Sequence, residues 1–228
     1  LSQHKKLQSS LSRRVEVVEN PFACSFGTKS DRSQKSRLLP DWAASGVHVV
    51  GYVANLTEQK RPDIFVNTAG ILRQRFGDNI IFPMVGNAQS DLGDTVKLQI
   101  VEQGLEKQCL LLGPQFPIEP ILSSFDVLVA PAVSEGFGRT LVEAMCCKVP
   151  VVAADDGGHR EIIEPGRTGF LVPPDDPAEF AEVVTSLLLD TELAQNVSFS
   201  AAKVAASRYS VAAHVQRIIA IYDRLLPK

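Results

Sequence analysis

Glu135 and Glu143 carry the clearest chemistry in the sequence, in the run Glu135-Gly-Phe-Gly-Arg-Thr-Leu-Val-Glu143. A carboxylate at Glu135 can accept hydrogen bonds from two neighbouring hydroxyls, with the gain that a charged acceptor brings. Gly136 and Gly138 have no side chain, so the backbone N–H groups of Gly136, Phe137 and Gly138 can approach a ring or a phosphate closely. The helix that starts at Arg139, Thr140 and Leu141 adds unpaired N–H groups and a partial positive end, which favours a diphosphate. Two carboxylates at this spacing first suggest acid and base work. They fit two grips on one ligand better, because Glu143 lies one turn deeper, where a ribose diol attached to the diphosphate would reach. The ligand this pattern suits is anionic and rich in hydroxyls, as a nucleotide sugar is. Thr140-Leu-Val-Glu143 also spells a capping box, in which the glutamate merely bonds the backbone at the helix start; both roles stay open for Glu143.

The motif needs a strand before it and a helix after it, and the flanking sequence supplies both. Residues 127–130 read as a buried strand whose carboxyl end delivers the turn, and in an open α/β sheet ligands bind in the crevice beyond such ends. Further strands are expected over 15–18, 47–53, 80–85, 109–112, 149–153 and 169–172, with Pro83 marking an edge or a bulge in its strand. Helices are expected over 61–76, 94–103, 118–124, 139–147, 159–163, 176–189, 192–207 and 211–226. Asp176-Pro177-Ala-Glu179 is a strong helix start. The last helix carries Val211, Val215, Ile218, Ile219, Tyr222 and Leu226 on one stripe, which must pack on something. The polar segment 24–46 is too long for an ordinary connector. Strands alternating with helices predict a single doubly wound parallel sheet with helices on both faces.

Composition narrows the function class. The 228 residues, 45% of them hydrophobic, suffice for one core, and no apolar run approaches the length that crosses a bilayer. The chain starts at Leu1 and reads as a piece of something longer, with 1–14 a leader or a remnant of an inter-domain segment and 15–228 the domain. Net charge is −3, and the basic excess in residues 1–60, nine Lys/Arg against five Asp/Glu, is too mild and too poor in interleaved aromatics for a nucleic-acid surface. Cys24, Cys109, Cys146 and Cys147 show neither zinc spacing nor a Cys-x-x-Cys pair, and fit a reducing cytoplasmic setting. Asp155-Asp156 lacks the further oxygen ligands that would hold a cation, so no metal is expected. His159, after Gly157-Gly158, reads first as a surface histidine.

The motifs together resemble the retaining GT-B glycosyltransferases, particularly the family 4 group with its Glu-x7-Glu signature. The likeness rests on Glu135 to Glu143, on Asp155-Asp-Gly-Gly-His-Arg-Glu-Ile-Ile163, on Gly166-Arg-Thr-Gly-Phe-Leu-Val-Pro-Pro-Asp175, and on Arg208-Tyr-Ser with the closing helix through Tyr222. It implies one Rossmann-like half of a two-domain GT-B fold, the half that binds the nucleotide-sugar donor, with an N-terminal acceptor-binding domain missing from this chain. By that resemblance Glu135 contacts the sugar hydroxyls, Glu143 the ribose, and the backbone of Gly136 to Gly138 and of Thr140 and Leu141 the sugar and diphosphate. Gly113, in the loop after residue 112, lies beside the base. Lys60 matches the lysine that clamps the diphosphate, while the partner arginine's place falls at Asn55, with Arg61 a substitute; on its own, Lys60 would read as a solvated lysine.

The resemblance further implies a UDP- or GDP-sugar as donor substrate, no cofactor, and transfer with retention in which the departing diphosphate deprotonates the acceptor hydroxyl. An isolated donor domain is then inactive or weakly active. The implied location is cytoplasmic, with room for peripheral association of the full-length protein at the inner face of a membrane. A GT-B-derived binding module without catalysis is the alternative that Asn55 favours. An unrelated doubly wound domain, such as a dehydrogenase, would need a Gly-x-Gly-x-x-Gly after its first strand, which 15–20 and 47–53 lack.

Overall fold

The computed structural model describes residues 16–22 and 46–225; the expectations for 1–14 and for the segment 24–46 fall wholly or almost wholly outside these. Six parallel strands form one sheet in the order β3-β2-β1-β4-β5-β6. They are β1 (His48–Val53), β2 (Ile80–Val85), β3 (Cys109–Gly113), β4 (Val127–Ala130), β5 (Val151–Ala154) and β6 (Phe170–Val172). The helices are α1 (Pro62–Phe76), α2 (Asp91–Glu102), α3 (Glu119–Leu122), α4 (Arg139–Cys146), α5 (His159–Ile162), α6 (Pro177–Leu189), α7 (Thr191–Tyr209) and α8 (Val211–Leu225), with one 3₁₀ turn at Glu58–Lys60 before α1. This is the doubly wound α/β architecture the sequence predicts.

Every residue of β2 is buried, because a parallel sheet is covered on both faces and its strands need apolar side chains in both directions. Alternate residues enter different cores. Val50 and Tyr52 of β1 pack with Phe65, Phe82 and Phe180 on the α1 and α6 face. Val49 packs with Leu128, Leu141, Met145 and Tyr209 on the α4 and α7 face. Gly51 shares the second face, and a Cβ there would lie 2.0 Å from Phe125 Cε2, so the bare backbone lets that ring lie against β1. Residue Val50 pairs with Val127 and Gly51 with Leu128, which brings β1 and β4 side by side although 73 residues of sequence separate their ends.

Two expectations change, and the alternatives for Pro83 resolve to the bulge. Residues 16–18 form no strand; the chain there makes a single parallel bridge, Phe22 to Ser210, outside the sheet. Pro83 lies in an interior strand, not at an edge, and the irregularity it signals follows it directly, as a register shift between Met84 and Val85 against β3. Helix α2 begins at Asp91, earlier than expected, with Ser90 Oγ accepting from Gly93 N at 3.1 Å. Gly93 is a poor helix former, yet a Cβ there would sit 1.9 Å from Ala88 O, so the first turn requires it. The start of α6 is as read, with Asp176 Oδ1 accepting from Glu179 N at 3.0 Å and Pro177 at its first position. The apolar stripe of α8 is not covered by the described residues: Val211, Val215, Ile219 and Tyr222 are all exposed.

Candidate functional site

Reading across the sheet, strand order reverses direction between β1 and β4, so the connections leaving their carboxyl ends diverge to opposite sides and open a crevice. A cleft of about 170 Å³ occupies that position, lined by Tyr52, Val53 and Ala54 at the end of β1 and by Leu128, Val129, Ala130, Pro131 and Ala132 at the end of β4. Lys60, Glu135, Gly138, Arg139, Thr140, Leu141 and His159 complete its wall. The volume is below the roughly 300–1,000 Å³ that encloses a drug-sized ligand, so a larger ligand held here keeps part of its surface outside this domain.

Lys60 and Glu135 meet directly. Lys60 Nζ donates to Glu135 Oε2 in an ion pair whose side chains are 28% and 18% exposed. Two local devices set this up. The buried Tyr52 hydroxyl donates to Lys60 O at 3.3 Å, and the 3₁₀ turn is tied to the β4 turn by Gln59 Nε2 to Ser134 O at 3.0 Å and Val133 N to Gln59 O at 2.9 Å. On the other side Gly158 N donates to Glu135 O at 2.7 Å. A Cβ at Gly157 would lie 2.6 Å from Glu135 O, and one at Gly158 would lie 2.5 Å from Gly136 O. The glycine pair is therefore the floor on which the Glu135-Gly136 turn rests, a role that the spacing of the motif does not reveal.

The helix start differs from a capping box. The N-cap of α4 is Gly138, at φ 68° and ψ 55°, with no side-chain cap. Thr140 lies inside the helix and its hydroxyl donates to Val53 O at 3.4 Å, while Glu143 pairs with Arg139 at 3.5 Å. Glu143 is thus not a cap. Its side chain is 24% exposed, and burial pushes its carboxyl above the ordinary range against the opposing pull of Arg139. Leu141 is fully buried and its N–H donates to Gly138 O at 3.1 Å, so that amide is committed within the turn, contrary to its expected diphosphate contact. Gly136 is exposed with open space where a Cβ would be.

The remaining candidates separate into two groups. His159 is no surface histidine: it is 1% exposed, lines the cleft, and has Nδ1 3.0 Å from Ala154 O. Burial lowers its pKa, which holds the ring neutral. Its signal in the sequence is the preceding Gly-Gly turn, which admits a side chain underneath Gly138. Asn55 does not line the cleft; its Oδ1 accepts from Asn87 N at 2.9 Å and so fastens the loop after β2. Arg61 is no substitute there, because its guanidinium is held by Asp63 at 2.9 Å and by Asp175. Gly113, at φ 66°, ends β3, which β2 and β1 separate from β4, and does not line the cleft. The two aspartates are engaged apart, Asp155 with Arg160 at 2.6 Å and Asp156 with Ser134 N.

Known proteins share the sequence pattern and the fold. Residues 41–204 match the family model described as glycosyl transferases group 1. The chain is 31% identical over 199 residues to the D-inositol 3-phosphate glycosyltransferase of Paenarthrobacter aurescens strain TC1, covering 85% of this chain and 48% of that protein. It is also 31% identical to the alpha-D-kanosaminyltransferase of Streptomyces kanamyceticus, over 94% of this chain and 55% of the other. Among solved structures, the Anabaena protein HepE in complex with UDP-glucose superposes with a TM-score of 0.81 at 28% identity, over 92% of this chain and 57% of that one. The chain thus spans about half the length of the relatives it matches. On the match to that family model and the 31% identity to these relatives, the chain belongs to the group 1 glycosyl transferases.

Proposed function

We propose that this chain is the donor-binding half of a retaining glycosyltransferase of the family 4 type, acting on a nucleoside-diphosphate sugar. The observation that carries the reading is the meeting of Lys60 and Glu135 in the crevice between β1 and β4, against the N-terminal end of α4. Glu135 accepts from the sugar hydroxyls, Lys60 neutralises the diphosphate, and Glu143 takes the ribose. The backbone of Gly136, Phe137, Gly138 and Thr140 supplies N–H groups to the sugar and the diphosphate.

Charge accumulates on the departing diphosphate as the glycosidic bond breaks, so Lys60 and the α4 end act where transition-state charge develops. The diphosphate then takes the proton of the acceptor hydroxyl on the same face of the sugar, which gives retention. An N-terminal acceptor domain completes the site in the full-length protein, and the UDP-glucose bound by HepE supports a UDP-sugar ahead of a GDP-sugar. A cytoplasmic location, with peripheral membrane contact of the full-length protein, belongs to the same proposal; fractionation of cells tests it.

One observation favours a second reading, a binding module without transfer. Asn55 stands where the family's clamping arginine is expected, and Arg61 is engaged by acids, so Lys60 and the exposed Arg139 are the cations on the cleft wall among the described residues. Calorimetry with UDP, GDP and ADP, and their glucose or mannose conjugates, tests the donor reading: a UDP-sugar binds, and a folded sample that binds none of them refutes it. Assay of the full-length protein for sugar transfer, with product configuration read by NMR, separates the enzyme from the module.

A further inference from the structure

Phe22 lies outside the cleft, in the segment 16–22 that precedes the sheet, yet it touches the two residues that shape the cleft's turn. Its ring, 8% exposed, stacks on Phe137 with centroids 6.0 Å apart and planes 19° apart. The Arg139 guanidinium lies over the same ring at 5.8 Å. Tyr209 closes the cluster edge-on, 6.4 Å from Phe22 and 5.6 Å from Phe137. Phe137 is the one side chain between Gly136 and Gly138. The first of these glycines has open space around it and the second is left-handed, so the backbone between them is intrinsically loose. Above the Gly157-Gly158 floor, the side chain that anchors it is the Phe137 ring, and what holds that ring is Phe22 with Tyr209.

The segment is itself fastened. Phe22 N donates to Tyr209 O at 2.7 Å, Arg208 donates to Glu19 Oε1 at 2.9 Å, Arg217 pairs with Glu19, and His214 Nδ1 lies 2.9 Å from Glu19 O. These contacts seat Phe22 against the junction of α7 and α8.

We infer that Phe22 is a positioning residue for the donor turn: through Phe137 and Arg139 it fixes the aim of the Gly136 to Gly138 amides and so sets donor affinity without touching donor. The inference rests on the donor-site reading for its consequence, and on the aromatic cluster alone for its mechanism. It also makes the segment before the sheet a lever, since a change in the seating of 16–22 would reach the turn through one ring.

The test uses the 228-residue chain with Phe22→Ala, Phe22→Leu and Phe22→Tyr, and two readouts. Amide hydrogen exchange at 136–139 is compared with exchange in β1 and β4, and UDP-glucose affinity is measured by calorimetry. Phe22→Ala speeds exchange of the turn and weakens UDP-glucose by roughly tenfold, about what an aromatic contact is worth, while β1 and β4 keep their protection. Phe22→Leu, which keeps bulk without a flat ring, falls between and guards against a failure of the alanine variant to fold; Phe22→Tyr restores both readouts. Unchanged turn exchange in the alanine and leucine variants overturns the inference, as does equal loss of protection across the sheet, which marks a merely structural residue. If the wild-type chain binds no UDP-glucose, the donor reading fails, and turn exchange still decides whether Phe22 holds the turn.

Discussion

Gly136 and Gly138 look equivalent in sequence but should respond oppositely to the same substitution. Gly138 is the left-handed N-cap of α4, at φ 68°, and a Cβ there would stand 3.0 Å from His159 Cδ2 and 3.2 Å from Leu141 Cδ1. Left-handed backbone costs a non-glycine residue about 1–2 kcal/mol. His159 is fully buried and its Nδ1 is 3.0 Å from Ala154 O, so the ring cannot swing away freely, and the crowding adds about 1 kcal/mol. Gly138→Ala should therefore destabilise by ~2–3 kcal/mol, which for a domain of this size lowers Tm by roughly 4–12 °C. At Gly136 the same methyl group meets open space, so Gly136→Ala should leave Tm within about 2 °C of wild type. It nevertheless places a methyl group where a sugar ring must approach backbone, and UDP-sugar affinity should fall at least tenfold. Thermal unfolding and calorimetry on both variants provide the check. Equal Tm losses, or full donor affinity in a well-folded Gly136→Ala, would refute the division of labour between the two glycines.

Lys60→Met should weaken UDP-glucose by about 10- to 100-fold, since a charge-assisted contact is worth about 1.5–3 kcal/mol, whereas Glu135→Gln should weaken UDP-glucose without weakening UDP; a loss of UDP affinity in Glu135→Gln would contradict the separate roles. Glu143 has a folded-state pKa raised by burial, so its contribution to stability is present below the unfolded value and is lost as pH rises through the folded one. Glu143→Gln should consequently gain Tm relative to wild type between pH 5 and 8 while losing nucleotide affinity, and a Tm deficit that grows with pH would exclude this. For His159 the folded pKa is lowered by burial, so the unfolded chain binds more protons below about pH 6.5 and stability falls as pH drops through that value. Replacing His159 by Gln should flatten the Tm profile between pH 5 and 7, and an unchanged profile would locate the titration elsewhere.

What the sequence makes legible here is whatever depends on neighbours along the chain. Strands β1, β2 and β4 are read to within a residue or two because a strand buried on both faces leaves an unbroken apolar run, and α6 because Asp176 and Pro177 act within one turn. Helix α2 starts three residues before the expected Asp94, with Gly93 in its first turn where Ala88 O would meet a Cβ. The site divides on the same line. Glu135, the two glycines and the helix start form one local unit, so their chemistry is visible. The capping-box alternative for Glu143 is equally local in spelling, and only the placement of the N-cap at Gly138 removes it. Lys60 meets Glu135 from 75 residues away, and nothing local to either predicts that the carboxylate proposed for the sugar pairs with the lysine proposed for the diphosphate. That pairing has a physical consequence for binding. A ligand carrying only a diphosphate would draw Lys60 away and leave Glu135 a half-buried, unpaired anion, which is unfavourable. A ligand carrying a sugar as well gives both groups new partners at once. On the proposed roles of the two side chains, the ion pair would favour a whole nucleotide sugar over the nucleotide product, by a contact that no contiguous stretch of this sequence contains.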